Sequence, residues 1–107
     1  MKRIKLEVLG KELVIEFDRE SMIKMEEMGY NAIDPTSKLL TNFEIMIYGG
    51  LLKNQPKTTW KEAIEICEGI RTDYDTAEIM PVLSDMINDV FFPGGTKKKK
   101  SFKVEKA

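Results

Sequence analysis

Hydrophobic and polar residues alternate twice near the start of the chain. Ile4, Leu6 and Val8 alternate with Lys5 and Glu7, and Leu13, Ile15 and Phe17 alternate with Val14 and Glu16. A period of two marks a strand with one buried face. Between the runs lies Leu9-Gly10-Lys11-Glu12, whose glycine is free to take positive φ. The pattern predicts a β-hairpin with strands near 2–8 and 12–17. A lone hairpin is marginal in water, so its apolar face must pack on helices.

Beyond Phe17 the period lengthens to that of a helix. Asp18 is placed to cap a first helix carrying Met22, Met25 and Met28, with Gly29 just past its end. Asp34-Pro35 is expected to open a second helix, with Asp34 as its cap, running to about Lys53 before Asn54 and Pro56. Thr59-Trp60-Lys61-Glu62 fits a capping box. Trp60, Ala63, Ile64 and Cys67 then form one stripe of a third helix, with Gly69 at its end. A fourth helix is expected from about Asp75 to Phe92, directing Ile79, Leu83, Met86, Ile87, Val90 and Phe91 inward. Pro81 should kink or delay it by removing one hydrogen bond. The fold class expected is α+β, mainly α: an N-terminal β-hairpin, about four helices and a disordered basic C-terminal tail. Residues 1–92 form the folded domain and residues 93–107 a flexible lysine-rich tail.

Composition narrows the function classes. The 107 residues make one domain. The longest uncharged stretch, Ile45 to Leu52, is eight residues. A membrane span needs about 20. No apolar signal-peptide core follows Lys2 and Arg3. The single cysteine, Cys67, reads as a small core residue in a reducing compartment. With no histidine, Ser-His-Asp and Cys-His nucleophile systems and the usual histidine-bearing zinc sites are excluded. The chain is expected not to be an enzyme and to need no cofactor or metal.

Charge is divided. Residues 1–92 hold 11 basic and 17 acidic residues, whereas residues 93–107 hold six lysines against Glu105. An acidic body argues against a nucleic-acid-binding domain, since duplex affinity rests on cationic contacts to phosphate. The alternative is a small nucleic-acid-binding regulator using Lys97 to Lys106. Asp85 and Asp89, four apart on one helix face, are the carboxylate pair with a spacing that suits a hard cation. Further oxygen ligands are needed for that, and a solvated face is the plainer reading. Gly94-Gly95-Thr96-Lys97 lacks the earlier glycine and the strand-to-helix setting of a phosphate loop.

The second helix is the informative one. Leu39, Leu40, Phe43, Met46, Ile47, Gly50 and Leu51 share one stripe, and Ile45, Tyr48, Gly49 and Leu52 a second on the opposite side. A helix apolar all round is either buried on every side or meets a partner. So few elements rarely wrap a helix, which makes Ile45, Tyr48, Gly49 and Leu52 candidate partner-binding residues and a face for self-association. Adjacent Phe91 and Phe92 cannot both point inward and join the candidates.

A charged hairpin, an acidic helix ending Met28-Gly29-Tyr30, then Asp34-Pro35 and the helix Phe43-Glu44-Ile45-Met46-Ile47-Tyr48-Gly49-Gly50-Leu51-Leu52-Lys53-Asn54 followed by Pro56 form a combination over residues 4–92. It resembles the short tail assembly chaperones of long-tailed, siphovirus-type phages and prophages of Gram-positive bacteria. The resemblance implies a mainly helical, non-enzymatic protein of the host bacterial cytoplasm, absent from the mature virion. Such proteins coat the tape measure protein, help recruit tail tube protein and self-associate as homo-oligomers. In lambda-like members a programmed frameshift near the end of the short protein makes a longer form that engages the tail tube protein. Lys97-Lys98-Lys99-Lys100 is then expected to be the translated footprint of an A-rich slippery site.

Overall fold

The computed structural model describes residues 2–31, 38–94, 100, 101 and 103. In chain order it contains β1 (Arg3–Val8), β2 (Lys11–Glu16), α1 (Arg19–Glu27), α2 (Leu39–Leu52), α3 (Trp60–Asp73) and α4 (Thr76–Phe91). The α+β, mainly α architecture expected from the periodicity is the one observed.

β1 and β2 form an antiparallel pair in which Ile4 pairs with Ile15, Leu6 with Leu13 and Val8 with Lys11. This register leaves a two-residue loop, Leu9 (φ 54°) and Gly10 (φ 73°). Positive φ at both loop positions is the type I′ turn, whose twist matches that of the flanking strands. Gly10 takes it freely, while Leu9 does so at a strain of about 1–2 kcal/mol. The same register puts Leu6, Val8, Leu13, Ile15 and Phe17 on one buried face.

Local chemistry sets the helix ends. Asp18 caps α1, its Oδ1 accepting from the Ser21 N–H at 2.9 Å and from the Ser21 hydroxyl at 3.0 Å. At the other end Gly29 (φ 98°) donates to the Glu26 carbonyl and Tyr30 to that of Met25. These are the two bonds of a Schellman motif. The Thr59 hydroxyl accepts from the Glu62 N–H at 3.2 Å, and the Glu62 carboxylate returns to that hydroxyl instead of to the Thr59 amide.

Two boundaries and the effect of Pro81 differ from expectation. α2 starts at Leu39, with Lys38 at the N-cap in a left-handed conformation (φ 54°) and no side-chain cap. Asp34 and Pro35, expected to open it, lie outside the described residues. α3 runs through Gly69 to Asp73. A Cβ at Gly69 would lie 2.6 Å from Val8 Cγ1, so this glycine serves a close helix–strand approach and not a stop. α4 starts directly after its Asp75 cap, which accepts from the Ala77 N–H at 3.0 Å, and continues through Pro81 without delay. Ala77 and Pro81 are both exposed, so the carbonyl that Pro81 cannot serve is left on the wet face, where water can bond it.

The core is built around α2. Phe43, Ile45, Met46, Ile47, Gly49, Gly50 and Leu51 are all buried. A Cβ at Gly50 would meet Ile15 Cγ2 at 2.5 Å and Phe17 Cζ at 3.0 Å; one at Gly49 would meet Met25 Cγ at 2.5 Å and Sδ at 2.7 Å. The hairpin therefore seats on α2 at Gly50, and α1 seats on it at Gly49. Met22, Met25, Ala63, Ile66, Cys67, Ile70, Leu83, Met86 and Ile87 complete the interior.

Each hairpin strand is also gripped from outside. Gln55, just past α2, accepts from the Val14 N–H at 2.9 Å and donates to the Val14 carbonyl at 2.9 Å and the Leu51 carbonyl at 2.8 Å. The Tyr74 hydroxyl accepts from the Glu7 N–H at 3.1 Å and donates to the Glu7 carbonyl at 3.0 Å. One side chain thus bonds β2 and another bonds β1, each through both backbone groups of one residue.

The two helix glycines should respond differently to alanine. Alanine gains about 1 kcal/mol over glycine in a helix interior. At Gly49 the obstacle is the flexible Met25 chain, which can move aside. At Gly50 it is a β-branched Ile15 and the Phe17 ring, and overpacking of stiff groups costs about 1–3 kcal/mol. Urea unfolding followed by circular dichroism should show Gly49→Ala within about 0.5 kcal/mol of the parent and Gly50→Ala destabilised by about 1–2 kcal/mol. Equal effects at the two positions would refute the packing described.

Candidate interaction surface

The second apolar stripe of α2 does not form a surface. Ile45 is 2% exposed, and Gly49 is buried beneath Met25. Tyr48 is half-buried, its ring edge-on to Trp60 with centroids 5.6 Å apart. Leu52 is half-buried in a cleft it shares with Asp18, Glu20, Ser21, Lys24 and Lys53. The face expected to drive self-association is therefore covered by α1 and Trp60. A spare face is absent at Ile45 and Gly49 because the hairpin, α1 and α3 do wrap this helix, and the glycines let them approach closely enough.

Besides single exposed residues such as Leu9 and Val82, two adjacent exposed apolar pairs stand at helix ends. Phe91 and Phe92 are 58% and 60% exposed, with ring centroids 4.9 Å apart. Phe91 was expected to face inward and does not. Neither ring reaches the core, which takes Leu83, Met86 and Ile87 from this helix. Leu39 and Leu40, expected to belong to the core stripe of α2, are 55% and 53% exposed. With Phe43, Met80, Thr76 and Arg71 they line a small cleft of about 170 Å³ between the start of α2, the end of α3 and the start of α4. By angle both fall on the core stripe of α2, as the adjacent buried Met46 and Ile47 do, so nothing in the sequence signals that the cover stops short of this first turn.

Charged groups are arranged around structure. Lys53 Nζ lies 2.9 Å from Glu16 Oε2 and 3.8 Å from Asp18 Oδ2, and Asn54 donates to Glu16 Oε1 at 3.3 Å. The hydrogen bonds from Lys53 and Asn54 hold the Glu16 carboxyl below its ordinary pKa. The Ser21 amide does so for Asp18, with the Ser21 hydroxyl and Lys53 adding to it. The Lys53 ammonium is raised, first by its bond to Glu16. Asp89 is occupied by Lys2 at 3.3 Å, away from any pairing with Asp85 over a cation. Among the described residues, no group of three or more His, Cys, Asp or Glu side chains is positioned to hold a metal ion. Of the basic tail, Lys100 and Lys103 are described and exposed, while Lys97, Lys98, Lys99 and Lys106 lie outside the described residues. No helix among the described residues is long and apolar enough to cross a membrane. Compared with known protein families, curated proteins and solved structures, the chain matches none.

Two measurements follow from this chemistry. Glu16 and Asp18 have folded pKa values below their unfolded ones, so their contribution to stability is complete above the unfolded range near pH 4 and is lost on acidification through the lowered values. The thermal midpoint should fall below about pH 4, and Lys53→Met should flatten that acid limb. A limb of unchanged steepness would remove Lys53 from the account. Burial pushes the Cys67 thiol up to about 11, so almost no thiolate forms at neutral pH. Iodoacetamide should leave Cys67 unmodified in the native protein and alkylate it in urea; fast native labelling would contradict its burial.

Proposed function

We propose that this protein is a short tail assembly chaperone of a long-tailed phage or prophage of a Gram-positive bacterium. On this reading it binds the tape measure protein, keeps it soluble and helps recruit tail tube subunits. It works without catalysis or cofactor in the host bacterial cytoplasm, self-associates, and leaves before the virion matures. The observation that supports this most is the exposure of large apolar side chains at helix ends, Leu39 and Leu40 on α2 and Phe91 and Phe92 on α4, around an otherwise closed core. Two separate exposed apolar pairs of this kind suit association with amphipathic helices, and a long tape measure chain offers many. The family resemblance of residues 4–92 adds its weight.

Co-expression tests the proposal directly. A tape measure fragment from the same gene cluster should become soluble with this protein and precipitate without it. Replacing both Phe91 and Phe92 by Ser should reduce the rescued fraction several-fold, since aromatic anchors contribute about 2 kcal/mol or more each. Undiminished rescue would remove the pair as anchors, and no rescue by the parent would sink the chaperone reading. The coding sequence tests the longer form separately. An A-AAA-AAN heptamer over Lys97 to Lys100 with an open -1 frame beyond the stop supports slippage, whereas G-interrupted codons reject it.

A further inference from the structure

The geometry points to the cleft of Leu39, Leu40, Phe43 and Met80 as the docking site for an acidic amphipathic helix of the client, an inference that rests on the chaperone reading. One apolar side chain seats in the cleft, and a carboxylate about one turn away on the same helix reaches Arg71. The cleft has room for a single large side chain, about 170 Å³, and its walls are chiefly carbon. The sign of its rim identifies the occupant. Arg71 lines the cleft, and Lys38 precedes it at the start of α2; both are exposed. Neither forms an ion pair with a carboxylate among the described residues. α2 also begins without a side-chain cap and without an acidic residue in its first turn. The positive end of the α2 dipole lies at the same side of the cleft. The body as a whole is acidic, with 17 acidic against 11 basic residues in 1–92, and Glu44 stands near Cys67 as Arg71 does; the cleft's own lining nonetheless holds one cation, Arg71, and no carboxylate. A basic segment, including the lysine tail of a second copy, meets the wrong sign here. An apolar residue flanked by glutamate or aspartate meets the right one.

Two fluorescein-labelled amphipathic peptides serve as probes, identical in their leucine stripe and differing only in carrying glutamates or lysines along its border. Fluorescence polarisation with the full chain at low salt should show the glutamate peptide binding about three- to fivefold more tightly, the range of an exposed ion pair. Arg71→Glu should reverse that order, and Leu40→Glu should abolish binding of both while leaving the helical circular dichroism intact. If Leu40→Glu unfolds the chain, Leu39→Asn serves for the same loss. Equal binding of the two peptides, or an order unmoved by Arg71→Glu, overturns the proposal. So does a parent dimer in sedimentation that Leu40→Glu dissolves, because the cleft would then be covered by a second copy. The two readings fail separately. Tape measure rescue that survives Leu40→Glu and Arg71→Glu refutes the cleft and spares the chaperone, whereas charge-selective peptide binding without any rescue does the reverse.

Discussion

From Ile45 to Leu51, α2 carries no side chain that water solvates strongly, and each neighbouring element is placed by the need to cover it. Helices of this composition are stable only when enclosed. Enclosure by so small a chain requires close approach, and Gly49 and Gly50 provide it by leaving bare backbone where Met25, Ile15 and Phe17 arrive. A side chain at position 50 would push the hairpin off α2, and one at position 49 would require the Met25 chain of α1 to move aside. Gly69 repeats the device on α3, where Val8 arrives. Glycines that weaken helices in isolation here set the distances between layers.

The same constraint explains where apolar surface is left over. Covering elements of six to nine residues, β1, β2 and α1, shield the middle of a 14-residue helix more readily than its first turn. Leu39 and Leu40 stand in that first turn. Phe91 and Phe92 stand likewise at the far end of a 16-residue α4, beyond Leu83, Met86 and Ile87. The exposed patches are thus the ends of long helices on a short-elemented body, and they sit on rigid scaffolds.

Much of the fold was legible because its signals are local. The hairpin alternation, the Asp18 and Thr59 caps and the Gly29 terminus each depend on residues a few positions apart. What was illegible depends on neighbours distant in sequence. Gly69 reads as a helix end unless Val8, 61 positions earlier, is known to press against it. Ile45 and Gly49 look like a spare face unless α1 is known to lie over them. Leu39 and Leu40 fall on a core stripe by angle alone, since periodicity records which side a residue is on and not how far the cover extends. Nothing in the composition around Gln55 or Tyr74 announces that each bonds a strand far away in the chain.

Those two side chains have a consequence for how the protein behaves at high concentration. A two-stranded sheet has nothing but borders, and an open border is a template on which further chains stack into cross-β aggregates. At Val14 and at Glu7 the backbone donor and acceptor that such a newcomer would use are already spoken for by Gln55 and Tyr74. The adjoining border positions carry Lys5, Glu12 and Glu16, charges that an incoming strand would have to accommodate. The hairpin is in this sense a terminated sheet. Its growth would begin by breaking two bidentate contacts, so crowding favours the association of helix surfaces over the polymerisation of strands.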